Sequence, residues 1–340
     1  MKIQFTNSID TLLNTLNSYH DDYDQIFVIT QKKIADLYLE NKITNKHKIY
    51  FCDEGEKCKS LEEYQKLVKY LNIHHCNRGS LLIALGGGTI TDLCGFVAST
   101  YMRGIKCVNV PTTLLGMVDA AIGGKTAINI GARRNVIGTF YNPIRIIIFN
   151  KFLESLSTNE LIDGCAEIIK YALIMDCKLF QQLEKNIFKL LNDLDIDFTT
   201  KIIKKCINHK LTIVQQDQYD QGIRNILNFG HTIGHALESF YNFELSHGKA
   251  VLHGIKVASY LSYQKKNILE SDYQKISSII EQLKIEPLKN LNIDKILEYI
   301  NSDKKHIGNQ LNYILLKKIG SAYIEKNYNK KNLMLGLKIL

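Results

Sequence analysis

One rhythm constrains the fold more than anything else in this chain. Short β-branched runs at residues 25–30, 48–52, 81–85, 105–110 and 144–149 alternate with stretches at 31–41, 61–71 and 92–102 whose apolar residues recur every three or four positions. Period-two or wholly apolar runs of this length form strands, and the longer spacing forms amphipathic helices. A strand, helix, strand series predicts a parallel sheet, because a helix is the usual connection between parallel neighbours. The first half therefore reads as a Rossmann-like α/β domain. From residue 151 onward the pattern turns helical, in LIDGCAEIIKYALI, FTTKIIKKCINHKLTIVQQ, ILNFGHTIGHALESF and KAVLHGIKVASYLSYQ. An all-α domain is expected there, giving domains 1–150 and 151–340. Between Asp119 and Gly138 the chain is glycine-rich and unhelical, as expected of a functional loop wrapped closely round something.

With 340 residues the chain exceeds the usual size of one core, which supports two domains. The net charge is +9, but the basic residues are mostly scattered lysines without interleaved aromatics, so nucleic acid is not expected as a partner. Eight cysteines occur without a C-x-x-C pair and mostly inside apolar runs, as expected of reduced, buried thiols in a cytoplasmic protein. No apolar signal core opens the chain and no uninterrupted apolar stretch of about 18 residues follows, so neither export nor membrane spanning is expected. The Lys/Asn-rich segment 325–332 reads as a solvated tail.

Several motifs carry chemistry. The strand at 81–85 runs into Gly86, Gly87 and Gly88 before a helix, an arrangement that brings backbone N–H groups to a pyrophosphate or forms a plain tight turn. Asp92 reads either as part of that site or as a helix N-cap. His231 and His235, four apart, share a helical face and can share a divalent metal, with His247 a third candidate. Thr232 stands where a zinc protease would need its glutamate, so proteolysis is not indicated. Glu167 and Lys170, three apart in an apolar helix, are either a salt bridge on a partly exposed face or members of a metal- or substrate-lined cleft.

In order and wording, GGGTITDLCGFVASTYMRG, VPTTLLGMVDAAIGGKTAIN, GCAEIIKYALI, RNILNFGHTIGHALE, SHGKAV and SDKKHIG resemble the 3-dehydroquinate synthase family over roughly residues 80–310. The resemblance implies an NAD-binding α/β domain, a helical domain carrying Zn²⁺ or Co²⁺, and a cytoplasmic homodimer. It also implies a phosphorylated sugar acid as substrate. Zinc and NAD together would oxidise one hydroxyl transiently, so that phosphate leaves, NADH returns the hydride, and the opened ring recloses by an aldol step. By the same resemblance Glu167, His231 and His247 hold the metal. Asp119, Lys125, Lys170, Asn228 and His235 are catalytic, and Lys210 and Arg224 meet the carboxylate. The phosphate site draws on Lys125, Asn135, His235 and one of Lys304 and Lys305, with Arg103 reaching across from a second subunit. NAD is expected at Glu56, Lys59, Gly86, Gly87, Gly88, Asp92, Thr112, Thr113 and Phe152.

The chain departs from the family pattern at Thr91, a glycine there, at Gln31, an aspartate near the adenosine end, and at Arg134, Lys249 and Asp220. Rival readings are a sister cyclase such as 2-deoxy-scyllo-inosose synthase, a metal-dependent polyol dehydrogenase that would accumulate NADH, and a noncatalytic descendant. Lys210 and Arg224 together favour a carboxylated substrate, and the intact ligand set argues against loss of catalysis.

Overall fold

The structure is a computed structural model that describes residues 1–39, 47–131, 133–304 and 311–340, except for the side chains of 302–304. The chain divides into two compact units, Met1–Leu156 and Ser157–Leu340. The short helical segment Asn150–Ser155, beyond the boundary expected near 150, stays with the first unit.

In the first unit, strands β1 (Lys2–Thr6), β2 (Ile26–Gln31), β3 (Lys48–Cys52), β4 (Leu81–Gly86), β5 (Lys106–Pro111) and β8 (Arg145–Phe149) form one sheet in the order β1-β8-β5-β4-β2-β3. All its pairings are parallel. Helices α1 (Ile9–Ser18), α2 (Lys32–Tyr38), α3 (Leu61–Ile73) and α4 (Gly88–Thr100) connect the strands. Every residue of β4 is buried, as a parallel strand covered on both faces must be. Each such Leu or Ile contributes about 1.5–3 kcal/mol of apolar burial.

Chain direction reverses between β2 and β4, since β2 leads outward to the edge strand β3 and β4 leads the other way to β5. Ligands of doubly wound sheets bind at the carboxyl ends of the strands flanking such a reversal, here Gln31 and Gly86. The stretch expected to be an unhelical functional loop has regular structure. It holds a π-helical turn, Gly116–Ala120, and an antiparallel hairpin of β6 (Lys125–Ile130) and β7 (Arg133–Phe140) that packs on α4.

The second unit is helical, with α5 (Thr158–Met175), α6 (Cys177–Asn186), α7 (Ile196–Gln216), α8 (His231–Phe240), α9 (His247–Gln264), α10 (Glu270–Gln282), α11 (Ile293–Lys304) and α12 (Lys330–Leu337). Sequence reasoning missed one addition, an antiparallel hairpin of β9 (Tyr313–Lys318) and β10 (Ser321–Glu325). The segment read as a solvated tail is anchored at Tyr328, whose buried ring stacks on Tyr313 at 4.9 Å.

Helices α8 and α9 touch backbone to backbone. A Cβ at Gly254 would lie 1.9 Å from the carbonyl oxygen of Gly230, itself at φ +80, so both positions require glycine. No helix of the described residues is long and apolar enough to cross a membrane. All eight cysteines are free, and all but Cys177 are buried.

Candidate functional site

The first unit offers a backbone site. Gly87 is the N-cap of α4, and the N–H groups of Ile90 and Thr91 are the first to bond back, both to the Gly87 carbonyl at 3.1 Å. The N–H groups of Gly88 and Thr89 thus lie outside the helix's own ladder, at its positive end. No acid sits in that first turn. A Cβ at Gly88 would come within 2.9 Å of the Ala120 Cβ, so the turn is closed to any side chain there. Together with the strand reversal beside it, this cradle fits the pyrophosphate of a dinucleotide. Thr91, the departure from glycine, is buried and donates its hydroxyl to the Gly88 carbonyl at 2.9 Å.

Asp92 is not the N-cap that sequence allowed, because the helix begins four residues earlier. Its carboxylate instead pairs with Lys59 at 2.6 Å, and the same ammonium donates to Asn135 Oδ1 at 2.6 Å. The Lys59 pKa is raised: burial opposes the charge, but Asp92 and Glu56 outweigh burial. Glu56 accepts from Asn129 at 2.8 Å, and Asn129 accepts the Asn135 backbone N–H at 2.9 Å. The hairpin is thereby tied to α4 and the Lys59 segment through the Oδ1 and backbone N–H of Asn135, a residue expected at a phosphate. Arg134 stands 3.9 Å from Glu56, so a cation is kept at the departure from lysine.

Thr112 anchors its N–H on the Gly86 carbonyl at 3.0 Å, and Thr113 Oγ1 accepts from the Gly116 N–H at 3.0 Å. Phe152 is fully buried between Tyr38 and Phe149, so its ring offers no surface to a ligand. Gln31 donates to the Asp53 carbonyl at 3.1 Å. Asp119 lies in the π-helical turn, Lys125 is exposed at the start of β6, and Arg103 is exposed at φ +68.

The second unit offers a side-chain site. Glu167 on α5, His231 at the start of α8 and His247 at the start of α9 present ligand atoms within 4.8 Å of one another. The Nε2 atoms of His231 and His247 stand 3.4 and 3.2 Å from the same oxygen, Glu167 Oε1. Donors bound tetrahedrally at about 2.0–2.2 Å lie roughly 3.3–3.6 Å apart, so these spacings and this donor set fit a divalent metal such as zinc.

Both outer nitrogens turn away from the site. His231 Nδ1 meets the Phe229 carbonyl at 3.1 Å, and His247 Nδ1 meets Glu238 at 3.5 Å. Each contact favours the tautomer that leaves Nε2 as the donor to a metal. The other Glu167 oxygen is bonded to Lys170. Both residues are buried, not on an exposed face.

Burial opposes the Glu167 charge, yet Lys170 and the two histidines hold its carboxyl well below the usual range. Burial likewise opposes the charge on His247, but Glu167 and Glu238 push its pKa up to about 10. A metal ion placed there would displace that proton.

Of the remaining expected residues, Lys210 on α7 and Arg224 are buried, Asn228 is half-buried, and His235 is exposed on α8 with its ring 6.2 Å from that of His247. Lys305 and the Lys304 side chain lie outside the described residues. Lys249 lies 4.0 Å from Glu286. Glu238, buried behind His247, and Asp217 escaped sequence reasoning. The Asp217 carboxylate accepts the backbone N–H groups of Gln221, Gly222 and Arg224 at 2.9, 2.7 and 3.0 Å. Those bonds shape the loop carrying Arg224, whose guanidinium donates to the Gln218 carbonyl at 2.6 Å. An acid next to a glycine loop was the available signal, but which N–H groups it accepts depends on the folded loop.

Comparison with known proteins agrees with both halves. Residues 49–163 match the family described as 3-dehydroquinate synthase N-terminal, and residues 164–306 match 3-dehydroquinate synthase C-terminal. A 3-dehydroquinate synthase of Dictyoglomus thermophilum is 40% identical over 330 residues, covering 97% of this chain and 93% of the relative. The fold is shared with a 2-epi-5-epi-valiolone synthase of Streptomyces hygroscopicus solved with NAD⁺ and Zn²⁺ (TM-score 0.90, 24% identity, 99% of this chain and 96% of that one). It is shared also with a 2-deoxy-scyllo-inosose synthase solved with carbaglucose-6-phosphate, NAD⁺ and Co²⁺ (TM-score 0.86, 23% identity, 98% and 95%). At those identities the two solved structures speak for the fold alone, whereas the family matches and the near-full-length relative speak for descent. This chain belongs to the 3-dehydroquinate synthase family.

Proposed function

We propose that the chain converts 3-deoxy-D-arabino-heptulosonate 7-phosphate to 3-dehydroquinate and phosphate, with NAD and a divalent metal as resident cofactors. The observation that carries this reading is the group of Glu167, His231 and His247, whose donor spacing fits one metal, in a chain related almost end to end to 3-dehydroquinate synthases. The metal would supply Lewis acidity at a substrate hydroxyl, and NAD a reversible two-electron acceptor.

The chain's own residues do the rest. Lys170 keeps Glu167 ionised and so ready to ligate. Lys210 and Arg224 are assigned the substrate carboxylate, which a guanidinium binds through two parallel hydrogen bonds. His235, exposed beside the ligand group, is assigned the phosphate with Lys125, Asn135 and one of Lys304 and Lys305. Asp119, Lys125 and Asn228 are assigned to orient the reacting hydroxyls. In the first unit Glu56, Lys59, Asp92, Thr112 and Thr113 are assigned to NAD around the Gly86, Gly87 and Gly88 turn, with Phe152 contributing packing from behind.

A cytoplasmic homodimer is part of this reading, with Arg103 serving the partner's site. The exposed apolar side chains of the β7 strand, Val136, Ile137 and Phe140, support a protein-facing surface there. A sister cyclase is the second reading, favoured by the shared fold. The test is phosphate release from the heptulosonate phosphate by purified protein with NAD and Zn²⁺, with and without a chelator. Chelator-sensitive release supports the assignment, and turnover only with a substrate lacking the carboxylate would replace it with the sister cyclase.

A further inference from the structure

Three features converge on one side chain that the ligand set alone does not explain. His247 is the first residue of α9, and Ser246 before it is the N-cap by backbone geometry, yet the Ser246 side chain caps no N–H of its own helix. The hydroxyl donates instead to Asp163 Oδ1 on α5 at 2.7 Å, and the Gly248 N–H donates to the same oxygen at 2.8 Å. Asp163 therefore caps α9 from another helix, holding the Ser246 side chain before His247 and the Gly248 backbone after it. Burial raises the Asp163 pKa, so its charge depends on those donors. The approach is close enough that a Cβ on Gly248 would lie 2.3 Å from the Asp163 Cα.

The imidazole is held independently. Glu238, buried at 2% exposure, faces His247 Nδ1 at 3.5 Å, while Nε2 faces Glu167 at 3.2 Å. Helix periodicity makes this economical. Asp163 and Glu167 are four apart on α5, and His231 and Glu238 seven apart on α8, so each helix carries one ligand and one support on a single face. A metal gains affinity from a ligand whose tautomer and ring angle are fixed before it arrives.

We infer that Asp163 and Glu238 are positioning residues for the metal: Asp163 fixes the backbone of His247 and Glu238 fixes its ring. This inference rests on the metal reading above. Glu238 also lies within 4.8 Å of His235 and His247 as a second group of possible ligand atoms, so a second ion is the competing role.

The test is zinc affinity and stoichiometry, measured by competition with a chromophoric chelator on the full chain, alongside the thermal midpoint of each metal-free protein. The wild type should bind one ion. Glu238→Ala and Asp163→Ala should each bind it roughly 10–100-fold more weakly. Glu238→Gln, which keeps an acceptor for Nδ1–H, should recover most of that loss, and the metal-free midpoint of the glutamine variant should match the wild type. A merely structural role would lower the midpoints and leave affinity unchanged, overturning the inference. Two ions in the wild type and one in Glu238→Ala would make Glu238 a ligand and also overturn it. No ion bound by any protein would sink the metal reading itself, which is distinguishable because the wild type then fails as well.

Discussion

The two units prepare for their ligands by opposite means. In the first, the candidate site is backbone: the N–H groups of Gly88 and Thr89 at the start of α4, in a cradle defined by missing side chains. In the second it is side chain: a carboxylate and two imidazoles, each held by further buried polar groups. A backbone site is damaged by adding atoms and a side-chain site by removing them. The same logic locates where each unit is fragile.

The largest effect is expected where the second unit itself depends on absent atoms. Gly254→Ala would place a methyl 1.9 Å from the Gly230 carbonyl and force α8 and α9 apart. We expect a loss of about 4 kcal/mol or more, read as a collapsed thermal midpoint together with lost zinc binding. An alanine variant that melts like the wild type would break the account of how His231 and His247 are brought together.

Acid should weaken the same unit next. His253 on α9 is buried and its pKa is lowered to about 4 by burial, against an ordinary value of 6.5. The unfolded chain takes up this proton first, so stability is full above pH 6.5 and falls as pH drops toward 4. The difference of about 2.5 units corresponds to roughly 3 kcal/mol. Denaturant titrations at several pH values should show this slope in the wild type and a smaller one in His253→Gln.

Arg224→Ala removes a charged hydrogen-bonding partner without touching the metal group, and should cost about 2 kcal/mol of substrate binding, near thirtyfold in KM. An unchanged KM would refute the carboxylate role. Gly88→Ala, which crowds the Ala120 Cβ at 2.9 Å, should disturb the backbone cradle of the first unit. It should raise the KM for NAD several-fold and leave zinc affinity alone. Equal effects on both cofactors would dissolve the contrast between the units.

What could be read from sequence follows the same division. Strands β2, β4, β5 and β8 were legible because a parallel strand buried on both faces is a nearly unbroken apolar run, and edge strand β3, KIYFC, because β-branched and aromatic residues mark it although only Cys52 is buried. Edge strand β1, KIQFT, buries only Thr6 fully and carries no such signal. The β6–β7 hairpin read as a functional loop because Gly131 at its turn and Gly138 inside β7 interrupt its alternation. The β9–β10 hairpin escaped notice between helical patterns.

At the site, the spacing of His231, His235 and His247 suggested a metal, while the choice of Glu167 came from family resemblance. Supporting residues were not legible. Asp163 acts on a backbone 85 residues away, Glu238 on a ring nine residues away and Asp217 on its own loop, and an acid in a helix or loop looks the same until its partners are in place. Asp92 also allowed an N-cap reading because a helix start and a position one turn inside it both tolerate aspartate.

A cyclase of this kind uses and regenerates its NAD within one turnover. The direct measurement supplies NAD and Zn²⁺ at one equivalent per chain with a large excess of heptulosonate phosphate, following phosphate and nicotinamide absorbance together. The account predicts many phosphates released per NAD with no accumulation of NADH. One NADH formed per substrate consumed would contradict it and make the protein a dehydrogenase, and absence of phosphate release would contradict the cyclase assignment altogether.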